Sequence, residues 1–241
     1  MARFVLCRTK KAIHELIDNT WRLQNARAKL DRKKKSRIDL LRDARSAECV
    51  DGCNGEWIKC AREVLKNNKI HPVVFASALK DLLTKGRGKF RNVMLVDCAR
   101  SGKTFLLDPL CLLFKAFVNP ASDKYAWVGA EESEVIYLND FRWTSTLISW
   151  KDFLLLLEGH IVHLPAPKNQ YSSDVCIDTD VPIFATSSNP IVYYGRNGQI
   201  DERETEMMSV RWRVFEFTRK IQQEEQKDLP PCPRCFGELV F

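Results

Sequence analysis

Asn92-Val93-Met94-Leu95-Val96-Asp97-Cys98-Ala99-Arg100-Ser101-Gly102-Lys103-Thr104 decides how the rest of this 241-residue chain is read. Residues 92–96 form the short apolar run of a strand buried on both faces of a parallel sheet. Residues 97–104 have the length and the Gly-Lys-Thr ending of a phosphate-binding loop, set between that strand and a helical pattern. Backbone N–H groups of such a loop cradle phosphate oxygens, with Ser101 and Gly102 in the cradle. Gly102 lets the main chain come close, the Lys103 ammonium reaches the β and γ phosphates, and the Thr104 hydroxyl ligates Mg²⁺. One position departs from the pattern. Asp97 stands where the motif ordinarily begins with glycine, which puts a Cβ and a carboxylate beside the phosphates.

Outward from this stretch the periodicity alternates between short apolar runs and amphipathic segments, the signature of an α/β sheet. Helices are expected at 103–117 and 148–157, and strands near 125–128, 135–138, 160–164, 175–177, 182–186 and 211–217. Upstream, 56–66 and 72–83 read as two short helices, the second with Val74, Phe75, Ala78 and Leu82 inward. Residues 9–46 read as one long amphipathic helix, kinked or frayed near the basic run Arg32-Lys33-Lys34-Lys35-Ser36-Arg37. The expected organisation is a basic helical arm (1–50), a small helical subdomain (51–88), an α/β core (89–220) and a C-terminal tail with a Cys-x-x-Cys pair (221–241).

Composition narrows the class. Hydrophobic residues make up 45% and charged residues 29%, with only 10 Gly and 10 Pro, which excludes wholesale disorder. The run Phe153-Leu154-Leu155-Leu156-Leu157 is far too short to cross a bilayer, so no membrane partner is expected. No apolar leader with a cleavage site follows Met1, so the expected chain is intracellular and not secreted. The net charge of +7 is uneven. Residues 1–50 hold 14 Lys+Arg against 6 Asp+Glu, and the remainder is near neutral. A basic arm suits a polyanion such as nucleic acid, and the 32–37 run resembles a nuclear-import patch, so a nuclear location is expected.

Three further segments bear on the same chemistry. Val135-Ile136-Tyr137-Leu138-Asn139-Asp140 places an acid at the end of an apolar run, where Asp140 would hold the metal. Asn139 stands where many ATPases have a second acid. Val181-Pro182-Ile183-Phe184-Ala185-Thr186-Ser187-Ser188-Asn189 is a buried strand ending in small polar residues. Asn189 is the candidate γ-phosphate sensor there, with Thr186 or Ser187 as substitutes. Ser209-Val210-Arg211-Trp212-Arg213 holds paired arginines, of which Arg211 would stabilise transition-state charge on a neighbouring subunit's nucleotide.

In this order, the segments resemble a superfamily 3 helicase domain over about residues 55–220. They are most similar to the parvoviral non-structural replication initiator, with a similar pattern in papillomavirus replicative helicases. The 92–104 stretch resembles Walker A, 134–140 Walker B, 182–189 motif C and 211–217 the Arg-led strand. The resemblance implies an AAA+-like P-loop NTPase core with an α-helical N-terminal region. It also implies a homo-oligomeric, hexameric ring on single-stranded DNA and an ATP- and Mg²⁺-dependent helicase activity. Lys168, in the Pro-rich hairpin before motif C, would contact DNA, and Glu134 or Glu132 would help polarise water. No pair of histidines flanking one residue occurs, so no nicking activity is expected. The chain is expected to be a truncated or endogenised copy. The alternative is a catalytically degenerate DNA-binding or assembly protein that keeps the fold. A small-molecule kinase is disfavoured because 141–181 lacks an arginine-rich lid.

Nine cysteines without a leader read as reduced thiols. Cys232-Pro233-Arg234-Cys235 has the spacing of half a structural zinc site. Cys49, Cys53 and Cys60 would supply the rest only if the two ends of the chain meet.

Overall fold

The computed structural model describes residues 10–120, 125–167, 174–195 and 197–241. Four helices come first: α1 (Lys10–Lys34), α2 (Arg37–Ser46), α3 (Glu56–Asn67) and α4 (Pro72–Lys85). Then follow β1 (Asn92–Val96), α5 (Lys103–Leu107), α6 (Pro109–Leu113), β2 (Ala116–Val118), β3 (Val135–Leu138) and α7 (Trp150–Glu158). The chain continues through β4 (Val162–Leu164), β5 (Val175–Ile177), β6 (Ile183–Thr186), α8 (Glu202–Ser209), β7 (Trp212–Glu216) and α9 (Pro233–Val240).

Five strands form one sheet in the order β2-β3-β6-β1-β7, and all four pairings are parallel. β4 and β5 make a separate antiparallel ribbon. The apolar run of β1 is explained by burial on both sides. Val93 and Leu95 enter the core under α2–α6 and α9, whereas Met94 and Val96 face α7, the β4–β5 ribbon and α8. β3 repeats the alternation, with Val135 and Tyr137 on one side and Ile136 and Leu138 on the other. The protein is thus a mixed α/β structure with a parallel central sheet.

The long expected N-terminal helix is interrupted at Ser36, whose hydroxyl and backbone N–H form a reciprocal capping box with Asp39. The basic run beside this break is largely taken up within the chain. Arg32 makes a forked pair with Glu134 at 3.0 and 2.6 Å and reaches the Leu113 carbonyl. Arg37 donates to the Leu83 carbonyl and forks onto Asp180. These contacts tie the arm to the sheet layer.

Two expected elements differ. The helix at 103–117 is broken by Pro109, which has no N–H and starts α6, and residues 116–118 become the edge strand β2. The strand expected at 125–128 is instead a turn. There Trp127 is buried, stacks on Phe117 at 5.7 Å and donates its indole N–H to the Leu147 carbonyl. Val74, expected inward, is exposed; Leu79 and Leu83 of the same helix are buried. The last 20 residues are not a loose extension. α9 buries Phe236, Leu239 and Val240, each contributing about 1.5–3 kcal/mol of apolar transfer. It lies so close to α2 that a Cβ on Gly237 would come within 3.0 Å of the Leu41 carbonyl oxygen.

Candidate functional site

In a parallel sheet the carboxyl ends of all strands lie on one edge, where open α/β folds bind ligands. Here that edge gathers the segments that follow β1, β3 and β6. The loop after β1 is tightly wound: Asp97 has φ +98°, Arg100 +60° and Gly102 +86°. It is also anchored from outside, because the Ile221 N–H donates to the Arg100 carbonyl at 2.8 Å and the Cys98 thiol to that of Phe217 at 3.1 Å. A Cβ on Gly102 would meet Val64 of α3 at 2.9 Å, so glycine serves this packing as well as the turn. Ser101 is buried and donates to the Cys98 carbonyl.

Lys103 folds back into the loop. Its ammonium donates to the carbonyls of Asp97 at 2.7 Å and Cys98 at 2.5 Å, and to the Ser101 hydroxyl at 3.2 Å. Burial pulls its pKa below the usual lysine value, against the opposing pull of Cys98, Asp97 and Asp140.

Asn139, just past β3, is the hub. Its Oδ1 accepts from the hydroxyls of Thr104 at 3.1 Å, Thr186 at 2.8 Å and Tyr137 at 3.3 Å. The Asn139 N–H donates to Asn119 beyond β2, and the Asp140 N–H donates to the Thr186 hydroxyl at 2.7 Å. The ends of β2, β3 and β6 and the start of α5 are thus linked by polar side chains. Burial also pushes the Tyr137 phenol up, so it stays a protonated donor. The Asp140 carboxylate is exposed, 4.0 Å from the Arg142 guanidinium, and its residue has φ +49°.

Lys103, Thr104 and Asp140 therefore share one edge, with Ser101 and Gly102 in the loop beside them. Asn189 is different. It is exposed, its N–H and side-chain amide donate to the hydroxyls of Ser187 and Ser188, and it lines a cavity of about 330 Å³ with Phe141, Trp143 and Tyr194. Thr186, three residues earlier, is the β6 residue that enters the cluster.

Arg211 stands at the opposite, amino-terminal edge. It is 4% exposed, donates to the carbonyls of Leu154 and Met207, and pairs with Glu158 at 2.8 Å. Such a buried guanidinium does not extend to a neighbouring subunit, which corrects the finger expectation. Glu134 and Glu132 also precede β3 and pair with Arg32 and Lys115, away from the loop. Lys168 lies outside the described residues. A cleft of about 620 Å³ opens beside the loop between α3 and the 219–229 segment, lined by Arg100, Gly102, Phe105, Asn68 and Arg219.

A second cluster joins the two ends of the chain. The sulfurs of Cys49, Cys53, Cys232 and Cys235 all lie within 4.8 Å of one another and could bind a metal. Cys60 is not among them; it lines the 620 Å³ cleft. Burial raises the Cys232 thiol, but N–H groups of Cys235 and Val50 and the neighbouring thiols outweigh it and bring the value to about 7. Cys53 and Cys235 are pushed up, chiefly by burial.

No helix among the described residues is long and apolar enough to cross a membrane. No family model and no curated protein matches the chain. Solved structures that align include the A-form apo structure of the NrS-1 C-terminal region. The identity is 15% and the TM-score 0.45, over 77% of this chain and 42% of that one. Two apo structures of its residues 305–718 align at 15% identity with TM-scores of 0.41 and 0.40, over 74% of this chain and 42% of theirs. The chain thus spans less than half the length of these neighbours. Likeness at this level has no bearing on function, and the superfamily 3 resemblance rests on the sequence motifs.

Proposed function

We propose that the protein is a P-loop ATPase of the superfamily 3 helicase type, driving a homo-oligomeric, hexameric ring on single-stranded DNA in the nucleus during replication of a parvovirus-like genome. The observation that carries this reading is the contact of Thr104 with Asn139. It brings the Gly-Lys-Thr segment after β1 to the acid-bearing end of β3, the two halves of a nucleotide–metal site. The donors are hard oxygens, the Thr104 hydroxyl and the Asp140 carboxylate, while Asn139 Oδ1, already accepting three hydroxyls, holds Thr104 in place. That set suits Mg²⁺, which when bound offsets charge on the phosphate oxygens. Because the Thr104 proton points to Asn139, its oxygen lone pairs are left for a cation. Lys103 would exchange its three loop acceptors for phosphate oxygens, and Thr186 supplies the polar group at the end of β6. The reaction is γ-phosphoryl transfer to water, giving ADP and phosphate. ATP turnover with and without single-stranded DNA tests the reading. DNA-stimulated turnover that falls to background in Lys103→Ala supports it, and equal rates in the two proteins refute it.

One observation favours the non-hydrolysing reading, a DNA-binding or assembly protein that keeps the fold. Asp97 occupies a positive-φ position that glycine serves best, and its backbone carbonyl already holds the Lys103 ammonium.

A further inference from the structure

The thiol cluster is built from parts far apart in the chain. Cys49 and Cys53 lie in the α2–α3 connection; Cys232 precedes α9 and Cys235 sits in its first turn. Three of the four are fully buried, and Cys49 is half-buried. Cys235 lies 3.7 Å from Cys49 and 3.6 Å from Cys53, sulfur to sulfur. A tetrahedral zinc with Zn–S bonds of about 2.3 Å has S···S edges of about 3.8 Å. The separations fall near that edge and well beyond the roughly 2.05 Å of a disulfide bond. Among the described residues no histidine or carboxylate joins the group, and a set of thiolates alone selects zinc over magnesium or calcium.

The surroundings suit thiolate charge. Backbone N–H groups of Gly55 and Trp57 donate to the Cys53 sulfur, and those of Val50 and Cys235 to that of Cys232. The Arg234 guanidinium is 3.7 Å from the Cys49 sulfur. Four thiolates around Zn²⁺ carry two net negative charges, which these donors offset.

We propose that Cys49, Cys53, Cys232 and Cys235 hold one structural zinc ion that fastens α9 to the α2–α3 connection. An eight-residue helix does not persist in water unaided, so α9 needs such an anchor in addition to its apolar face. The staple also fixes the far end of the segment after β7. That segment donates from Arg219 N–H to Asn68 and from Ile221 N–H to the Arg100 carbonyl, and it forms one wall of the cleft beside the 97–102 loop. This site stands independently of the nucleotide reading.

The test uses the full chain purified without chelator. Elemental analysis is expected to find one zinc per chain. After exchange with Co²⁺ alone, the spectrum is expected to show the visible bands and thiolate charge-transfer absorption of a tetrahedral sulfur site. Cys232→Ser with Cys235→Ser should abolish the bound zinc, and Cys60→Ser should keep it. Because the double variant could also misfold, the cobalt spectrum of the unaltered protein reads the donor set directly. The proposal is overturned by zinc-free protein, by disulfides at these cysteines, by iron–sulfur absorption, by a cobalt spectrum lacking thiolate bands, or by zinc retained in the double variant.

Discussion

Replacing Arg211 by alanine separates a catalytic arginine from one that holds the fold together. The guanidinium is 5% exposed and its partner carboxylate on Glu158 is 17% exposed. Removing one member of a buried ion pair costs about 3–5 kcal/mol, because the other is left uncompensated. Two carbonyls, of Leu154 and Met207, also lose their donor. Glu158 keeps a second cation, the ammonium of Lys89, which places the loss near the lower end, at about 3 kcal/mol. For a chain of this length each kcal/mol moves the melting point by about 2–4 °C, so the expected fall is about 6–12 °C. Arg211→Met should recover part of it, since a well-packed apolar side chain often replaces a buried charge without loss. Thermal unfolding followed by circular dichroism measures both. A complementation assay completes the test by mixing Arg211→Ala subunits with Lys103→Ala subunits. If Arg211→Ala melts within about 2 °C of the parent and the mixture regains ATP turnover that neither variant has alone, Arg211 acts across a subunit boundary and the structural assignment is refuted.

Asp97→Gly should stabilise the protein slightly. A non-glycine residue at positive φ costs about 1–2 kcal/mol, and glycine's extra freedom in the unfolded chain returns roughly 0.5–1 of it. With the carboxylate gone from the loop, ATP should bind about tenfold more tightly, equivalent to ~1.4 kcal/mol; calorimetry showing no gain in affinity would exonerate Asp97. Acid should weaken the attachment of the arm. Burial raises the Glu134 carboxyl, but the Arg32 fork and the Lys115 N–H outweigh it, so its folded pKa is lowered. The unfolded chain then binds the proton more readily. The stabilisation is complete above the ordinary carboxylate value of about 4.3 and is lost as pH falls through the lower folded value. Urea midpoints of Glu134→Gln should fall less steeply with acid than those of the parent; superimposable pH curves would remove Glu134 from this role.

Much of the sheet was legible because a strand buried on both faces must be apolar at successive positions, and β1, β3 and β6 are. β2 was not. Lys115-Ala116-Phe117-Val118 reads equally well as the end of a helix, and only Pro109 and pairing with β3 decide against it. In the candidate site, Lys103, Thr104 and Asp140 carry their signal in a few contiguous residues. Asn139 registered only as a missing acid. Its place as acceptor of three hydroxyls comes from the register of β3 against β6, which no local pattern contains. Asn189 and Thr186 are three residues apart on the same segment, and it is Thr186 whose hydroxyl bonds into the Asn139 cluster, while Asn189 bonds to Ser187 and Ser188.

The sequence by itself determined the alternation of strand and helix, the phosphate-loop pattern and its departure at Asp97, and the half-site of Cys232 and Cys235. Each is written in the chemistry of neighbouring residues. Tertiary structure alone decided that Cys49 and Cys53, not Cys60, complete the thiol cluster, and that Arg211 is buried at the far edge. Both depend on contacts between residues dozens to nearly two hundred positions apart, made when α9 packs on α2 and α7 packs beside β7.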